Sequence, residues 1–470
     1  MRFQNARSIS QNEHDTVRNL LALRSICSLF LFGIEFVGRV VRYHVMFKNR
    51  KGIFALLLGL MFAFANRPAF ANGMRLVSQD GFATARGEAF VATADNASAV
   101  YYNPAGISQL AGDQARSGIY GIYFDPTFQP PGTAANSGNT YHVKQNTAAA
   151  PQMFITHEFD DTPFTFGFGS YAPYGLGLEW PDDTGFYAVG TKSQVTYLRF
   201  NPVISVKILP GLSIAGGAMV DYAKLELRQG LRATAQPLAN TFQFSGDGWN
   251  IGYNFGLLWQ VHQTVSIGVT YRSATYFNLS GNTDIQRAPV IPLAERDAEA
   301  DFVFPMTVAG GIAWKPTPQW NLEIDADYTD WSSLDRVTIH HFTAPNPPLQ
   351  QDYPFNLYWR PSWIFSAGLT RYLDNGWHVS AGYVFNQSSV PDAYYSPLIA
   401  DVDRHFVSVG VGRKGRKYDF DVAYQFGYGP DHKVAGSTAP SSTGFFIPQT
   451  ADGTYGFVSH AVLISLGLRF

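Results

Sequence analysis

The sequence predicts an all-β protein, a transmembrane barrel of about 14 antiparallel strands. Three observations predict it: strands that alternate between apolar and polar residues, connections that alternate between short and long, and the lack of any long apolar run after Asn72. A chain that spans a membrane without apolar helices must close its strands into a barrel, because lipid offers no partner for free backbone groups.

The composition fits this fold class. Charged residues make up 15% of the 470-residue chain and aromatic residues another 15%, whereas soluble domains average about 25% charged residues. The formal net charge is −2, so nothing indicates a nucleic-acid partner, which would favour a basic surface. The one cysteine, Cys27, precedes the expected mature chain, which excludes a disulfide framework.

The N-terminal residues predict an export signal behind an extension. Residues 46–71 combine a basic start, a short apolar run and the small-x-small cleavage site Ala69-Phe70-Ala71. The apolar run is too short to span about 30 Å of membrane as a helix. We therefore expect 46–71 to be a signal peptide and Asn72 to begin the mature protein. Residues 1–45 are expected to be a spurious extension, with Met46 as the true start.

The last strand shows the alternation most clearly. Val462 and Ile464 share one face, whereas Leu463 and Ser465 share the other. A soluble sandwich would also alternate, but the aromatic residues at strand ends favour the inverted arrangement of a membrane barrel with an interfacial girdle. The chain ends on Phe470, and such an aromatic end looks like the signal read by the outer-membrane assembly machinery.

The connections between the predicted strands alternate in length. Short turns stand near Asp374-Asn375-Gly376 and Lys414-Gly415-Arg416, and long loops separate them, for example at 387–402 and 432–455. Short periplasmic turns and long outer loops are typical of bacterial outer-membrane barrels. We therefore expect residues 113–470 to form a barrel of even strand number in the outer membrane of a Gram-negative bacterium, surrounded by its lipids.

The segment before the first strand, residues 72–112, does not alternate like a strand. It is rich in Ala, Gly and small polar residues and contains Asn103-Pro104-Ala105. This segment resembles the N-terminal hatch of the FadL-like family of long-chain fatty-acid transporters, which also includes uptake porins for aromatic hydrocarbons. Tyr174-Gly175-Leu176-Gly177-Leu178 resembles the family's kinked third strand, and Asp327–Ser332 resembles a strand motif late in its barrel.

The resemblance implies a monomeric barrel of about 14 strands whose lumen is plugged by the hatch. In the family, a hydrophobic molecule is captured in the outer loops, moves to an interior site and leaves sideways at the strand kink. The chain is therefore expected to transport hydrophobic molecules passively, with long-chain fatty acids as the leading substrate. Gly175 and Gly177 are consistent with a kink, because glycine weakens a strand. A glycine-rich outer loop is the alternative.

The expected substrate groove is apolar. Leu238, Phe242 and Phe244 in one long loop, and Val290 and Ile291 in the next, offer suitable side chains. Side chains of this kind also pack ordinary loops against one another. Both interpretations therefore stay open for these five residues.

A fatty-acid carboxylate also needs a cation, which family members project into the barrel. The matching strands carry Arg228 and Arg336, both displaced by a residue or two from the family's positions. An interior arginine also pairs with interior carboxylates, such as Asp221 or Asp325. The displaced cations leave open uptake of aromatic hydrocarbons or other small hydrophobic molecules. A non-transporting structural barrel with a lumen sealed by charge pairs is a further alternative.

Nothing in the sequence predicts an enzyme, a cofactor or a metal site. No phosphate-binding glycine loop precedes a helix. His340-His341 lacks a third ligand at metal-binding spacing. Glu323, Asp325 and Asp327 stand at every second position, which is the spacing of any strand with one polar face.

Overall fold

The computed structural model describes residues 73–231, 240–286, 296–342, 352–438 and 449–470. The expected signal peptide and the extension before it lie outside the described residues, as do Asn72 and Cys27. Three of the expected groove residues, Leu238, Val290 and Ile291, also lie outside them.

The described strands form a closed antiparallel barrel of 14 strands, which confirms the predicted fold class. Each strand pairs with its neighbours in chain order, and the ring closes where Ile119 of the first strand lies opposite Ile464 of the last. Five of the strands consist of two segments separated by a short interruption, and a sixth is preceded by a two-residue piece. The strands are β1 Asp113–Gln129, β2 Thr147–Glu158 (preceded by Tyr141–His142), β3 Phe164–Tyr171 with Gly175–Glu179, β4 Lys192–Leu209, β5 Leu212–Leu231, β6 Asn240–His262, β7 Val265–Arg272 with Thr275–Gln286, β8 Arg296–Phe304 with Thr307–Thr317, β9 Trp320–Thr329 with Arg336–His341, β10 Asp352–Asn356 with Ser362–Tyr372, β11 Trp377–Asn386, β12 Arg404–Lys414, β13 Tyr418–Val434 and β14 Gly453–Arg469.

The apolar faces of the strands point outward. In β14, Val462 is 45% exposed and Leu466 60% exposed, whereas Leu463 and Ser465 between them are buried. Apolar side chains are exposed on other strands too, for example Ile204 on β4. This is the reverse of a soluble sandwich and matches a barrel whose outer surface meets lipid. The inverted arrangement predicted from the sequence is therefore confirmed.

The connections alternate in length as predicted. At one end, two residues join β4 to β5 and three join β12 to β13. The turn after β4 requires Gly211, whose φ of +81° lies in the left-handed region that favours glycine. At the other end, residues 387–403 and 435–452 form long connections. Below, these ends are the short-turn end and the long-loop end.

The N-terminal segment, residues 73–112, contains the helices α1 Gly81–Ala85 and α2 Ala99–Tyr102 and the 3₁₀ helix Pro104–Gln109. Three further 3₁₀ turns occur: Trp331–Ser333 lies between the two segments of β9, and Asp374–Gly376 and Asp392–Tyr394 lie between strands. Asp80 caps α1, because its carboxylate accepts the backbone N–H groups of Phe82 and Ala83. No helix among the described residues is long and apolar enough to cross a membrane.

The N-terminal segment lies within the ring of strands. Its backbone approaches the wall so closely that a side chain has no room at several wall positions. A Cβ atom added to Gly268 of β7 would lie 2.1 Å from the carbonyl oxygen of Val91. One added to Gly382 of β11 would lie 2.1 Å from the carbonyl carbon of Arg86. Glycine is therefore required where the segment touches these strands.

Candidate functional site

The carboxylates of β9 hold the N-terminal segment. Glu323 accepts hydrogen bonds from the Ala92 backbone N–H at 2.6 Å and from the Arg86 guanidinium at 3.1 Å. Asp325 accepts the backbone N–H of Phe90 at 2.8 Å. Both carboxylates are almost fully buried, and the Arg86 side chain is 0% exposed. Their alternate spacing gave no sign of this role, because their partners lie more than 200 positions away in the chain.

A second set of charges ties the segment to the opposite wall. Arg116 of β1 forms ion pairs with Asp80 of the segment, with Asp419 at 3.0 Å and with Asp421 at 2.6 Å. His378 of β11 contacts Asp421 at 2.7 Å. These side chains are mostly buried. Hydrogen-bonded charge pairs therefore occupy the part of the lumen that the N-terminal segment fills.

The Asn103-Pro104-Ala105 element joins the segment to β6. The Asn103 side-chain amide donates to the carbonyl oxygens of Val91 at 2.8 Å and of Leu257 at 2.9 Å. Its amide oxygen accepts the Ala105 N–H at 3.2 Å. Pro104 begins the 3₁₀ helix, a position that needs no N–H donor. The motif therefore caps the 3₁₀ helix and also joins the N-terminal segment to the barrel wall.

Glu88 is a buried carboxyl group without a cation partner among the residues that the structure describes. Its oxygens accept hydrogen bonds from the hydroxyls of Ser78 and Tyr102, both at 2.7 Å. Burial raises the pKa of Glu88 to about 7, although both hydrogen bonds oppose the shift. The side chain therefore changes its charge near neutral pH.

We expect the N-terminal segment to be held less firmly as the pH rises. The folded pKa of Glu88 is raised from 4.5 to about 7. Its protonated form therefore stabilises the folded segment at low pH, and this contribution declines as the pH rises through that window. Wild-type protein in planar bilayers should leak more small ions at pH 8 than at pH 5.5. Glu88→Gln keeps the size of the side chain and one acceptor oxygen, does not ionise, and should flatten this profile. An unchanged pH dependence would contradict the assignment.

The strand ladder is interrupted between β2 and β3. The pairing of these strands begins at Glu158 with Thr165 and stops at Met153 with Ser170. Beyond this point the residues Thr147–Gln152 pair only with β1, and the second segment of β3 pairs only with β4. The ladder is bridged again further out, where the Lys144 N–H donates to the Glu179 carbonyl at 2.6 Å. We call this interruption the β2–β3 gap.

The start of the N-terminal segment occupies the inner side of this gap. The Leu76 N–H donates to the Pro173 carbonyl at 2.9 Å, and the Gly175 N–H donates to the Met74 carbonyl at 3.0 Å. Arg75 in turn binds Asp327 of β9 at 2.6 Å. The interrupted stretch of β3 therefore pairs with the N-terminal segment instead of with β2.

The long-loop half of the lumen is apolar. Buried side chains from strands and loops form one continuous cluster, which includes Met74, Tyr174, Phe302, Phe355 and Tyr395. Tyr174, in the interruption of β3, packs its ring 4.8 Å from Phe304 and 5.1 Å from Tyr197. The polar and apolar halves of the interior are therefore distinct.

A pocket opens within this cluster, and we call it the outer pocket. Its free space is about 50 Å³, well below the roughly 150 Å³ of an engineered cavity that takes benzene. Residues 394–399 of the long β11–β12 connection form one wall, so movement of that loop would enlarge it. Its lining residues are Met74, Ser193, Val195, Leu225, Leu227, Phe302, Leu334, Val337, Phe355, Asn356, Leu357, Tyr394, Tyr395, Ser396, Leu398, Ile399 and Thr438.

Phe242 and Phe244 belong to the apolar cluster but do not line the outer pocket. Both are buried, and the Phe242 ring lies 4.9 Å from that of Tyr353. Leu178 of the kink motif is also buried in this cluster. These predicted side chains thus pack in the apolar cluster, whereas the pocket wall from 394 to 399 carried no distinctive motif.

The two candidate cations lie on the outward faces of their strands. Leu225 and Leu227 line the pocket, so Arg228 projects to the other side, where it binds Glu179 at 3.1 Å. Arg336 is exposed, and its guanidinium donates to the Asn356 side chain at 2.8 Å. The carboxylates expected beside them have other partners: Asp221 binds Arg199 and Asp325 binds the N-terminal segment.

The described residues contain no group of three or more His, Cys, Asp or Glu side chains that could hold a metal ion. His340 contacts Asp352, and His341 contacts the Thr283 hydroxyl at 2.6 Å. The two histidines therefore have separate partners.

Comparison with known proteins places this architecture in a family. A family model described as outer membrane protein transport protein (OMPP1/FadL/TodX) matches residues 62–469. The long-chain fatty acid transport protein of Escherichia coli K12 is 25% identical over 380 residues, which cover 72% of this chain and 83% of that protein. Outer membrane protein P1 of Haemophilus influenzae is 23% identical over 472 residues, covering 90% of this chain and 100% of that protein.

Solved structures share the fold. A FadL homologue from Pseudomonas aeruginosa superposes with a TM-score of 0.74 at 16% identity, covering 85% of this chain and 100% of the other. The toluene transporter TbuX of Ralstonia pickettii gives a TM-score of 0.64 at 17% identity, covering 84% and 100%. The chain belongs to the OMPP1/FadL/TodX family, and it is an outer-membrane transporter of hydrophobic molecules, not an enzyme.

Proposed function

We propose that this protein carries long-chain fatty acids into the outer membrane, capturing them in its outer loops and releasing them sideways through the β2–β3 gap. One observation carries the proposal: Met74 joins the pocket to the gap. Its side chain lines the outer pocket, and its carbonyl accepts the Gly175 N–H at the gap. A molecule in the pocket would therefore contact Met74, the same residue that pairs with β3 at the gap.

The energetics of acyl chains favour a sideways exit. Each buried CH₂ group gains about 0.8 kcal/mol, so release of a long chain into water would lose on the order of 10 kcal/mol. Release into lipid avoids that loss. The polar, charge-paired N-terminal segment offers no apolar route towards the short-turn end. An exit through the wall is consistent with both facts.

The β2 edge of the gap suits such an exit. Residues Ala148–Pro151 carry small or ring-closed side chains, which leave space between the strands. Pro151 has no N–H group, so this edge presents one fewer unpaired donor to the membrane interior. Tyr174 and Leu178 are buried in the apolar cluster on the β3 side. The gap is thus an opening with an apolar inner border.

We further propose that residues 72–112 act as a plug that keeps small polar solutes out. The described part of this segment binds β1, β6 and β9 through side chains or backbone groups. The barrel closes on itself without a second copy, so we propose that it works as a monomer. Strand β14, which ends beside Phe470, is the expected signal for the outer-membrane assembly machinery.

Aromatic hydrocarbons are a second candidate substrate. The free space of the outer pocket, about 50 Å³, favours a compact molecule over a long chain when the wall from 394 to 399 stays in place. Its aromatic lining residues include Phe302, Phe355 and Tyr395. The curated relatives named for long-chain fatty acid transport favour the first candidate.

The proposal is tested by uptake in a bacterial host that lacks its own long-chain fatty-acid transporter. We expect expression of this protein to restore uptake of radiolabelled oleate at least tenfold above the empty vector. Labelled toluene, tested in the same cells, decides between the two candidates. Restored toluene entry with background oleate uptake would replace the first candidate by the second.

A further inference from the structure

The outer pocket contains polar groups but no ionisable acid or base among the side chains that line it, apart from two tyrosines. Most of its hydrogen-bonding groups already have protein partners. These are the hydroxyls of Ser193, Ser396 and Thr438 and the amide oxygen of Asn356. The pocket therefore has little free hydrogen-bonding capacity.

Among the side chains that line the pocket, the Tyr395 hydroxyl is the one polar group that is buried and has no hydrogen-bond partner among the described residues. Tyr395 is 1% exposed, and its hydroxyl has no hydrogen-bond partner among the described residues. Its ring is fixed by Tyr455, with centroids 4.5 Å apart, and by His432 at 6.1 Å. A buried hydroxyl without a partner is unfavourable, and this one belongs to a side chain in the pocket wall. A ligand oxygen would satisfy it.

The nearby cations are already neutralised. Arg199 binds Asp221 through two contacts of 2.7 Å, Arg404 pairs with Asp401 at 3.6 Å, and Arg228 points outward to Glu179. Each of these three has a carboxylate within ion-pair distance, although the Arg404 Nε has no hydrogen-bond partner among the described residues. No arginine, lysine or histidine is among the side chains that line the pocket. An ionised head group would have to give up water without gaining a counter-charge, which is strongly unfavourable.

We propose that the outer pocket binds the head group of its lipid in an uncharged form, with the Tyr395 hydroxyl donating a hydrogen bond to the carbonyl oxygen. The ligand class is a long-chain acid in its protonated form or a neutral ester. This inference rests on the proposed function and specifies the state of the substrate. It makes Tyr395 a specificity-determining residue.

Tyr395 remains a donor over the pH range in which fatty acids ionise. Burial raises the pKa of its hydroxyl well above the usual value, and the charges of Asp401 and Asp392 act in the same direction. The other titratable groups beside it are Arg404, which opposes the shift, and the neighbouring rings of His432 and Tyr455. A neutral ester does not ionise, so any change of its affinity with pH would come from ionisation of these protein groups and not of the ligand.

The experiment measures binding of oleate and of methyl oleate to the purified barrel in detergent between pH 6 and 9. The pKa of oleate in the same micelles is measured separately. Above that pKa, oleate affinity should fall about tenfold per pH unit, because only the protonated acid binds. Methyl oleate affinity should not change. Tyr395→Phe should lower the affinity for both neutral ligands about three- to tenfold at pH 6.

Tyr394→Phe is the matched control, since Tyr394 also lines the pocket but is only partly buried. Tyr395→Phe removes no hydrogen bond made within the described protein, so it should fold normally. Oleate that binds with the same affinity from pH 6 to 9, or equally well to Tyr395→Phe, would overturn this inference alone. Failure of wild-type protein to bind either ligand would overturn the proposed function together with the inference.

Discussion

Replacing Glu323 by Gln should open the barrel to small polar solutes. The substitution keeps the size of the side chain but leaves the fully buried Arg86 guanidinium without its charged partner. Breaking a buried ion pair on one side costs about 3–5 kcal/mol. That cost raises the population of the undocked N-terminal segment by roughly two to four orders of magnitude. We expect a large increase in planar-bilayer conductance, while the heat-modifiable migration of a folded barrel is retained.

Glu226→Gln provides the matched control for this prediction. Glu226 is also a strand carboxylate paired with a cation, Lys192 at 3.3 Å, but its side chain is 20% exposed. Such partly exposed pairs contribute about 0–1 kcal/mol, so conductance should stay at the wild-type level. A folded Glu323→Gln variant with wild-type conductance would show that the β9 carboxylates do not hold the segment in place.

Combined substitution of Gly175→Val and Gly177→Val should abolish oleate uptake. A Cβ at Gly177 meets no atom within 4 Å, and one at Gly175 meets only the flexible end of Leu76, at 2.8 Å. Both valines can therefore be accommodated. β-Branched side chains favour regular extended pairing and also fill the space beside the gap. We expect normal expression and heat-modifiable migration, with uptake of labelled oleate at background.

The control for the valine pair is Gly216→Val with Gly310→Val. These glycines have room for a side chain, since an added Cβ lies 3.4 Å and 3.9 Å from the nearest atom. Their strands are paired on both sides, β5 with β4 and β6, and β8 with β7 and β9. Uptake should stay near wild type in this control. Loss of uptake in both pairs alike would indicate a general effect of valine on the barrel.

The sequence predicted the barrel well because its periodicity is local. Alternation in β14 assigned Val462 and Leu463 to opposite faces, and a count of the alternating segments gave the strand number. The interruptions within β7 to β10 were not predicted. They fall at short stretches such as Pro305-Met306, where the proline cannot donate to the strand ladder, but the alternation on either side continues.

The candidate site was predicted less completely, because its contacts join distant parts of the chain. Gly175 and Gly177 pointed to a kink, but only the pairing shows that β2 is the strand left unpaired. The candidate cations illustrate a second difficulty. A shift of one position moves a strand side chain to the opposite face, and Arg228 and Arg336 both fall on the outward face.

Reversible blocking of the β2–β3 gap is the most direct test of lateral release. The sequence has one cysteine, Cys27, which precedes the expected mature start, so a new cysteine can be labelled alone. Gly177→Cys lies beside the gap and has open space around the added atom, and Gly310→Cys is the control in a closed part of the ladder. Both are treated with a bulky methanethiosulfonate, and labelling is checked by mass spectrometry. We predict that the label on Gly177→Cys lowers oleate uptake to background and that removal of the label with a thiol reductant restores it. Labelled Gly310→Cys should take up oleate at the wild-type rate. Wild-type uptake by fully labelled Gly177→Cys would contradict lateral release through this gap.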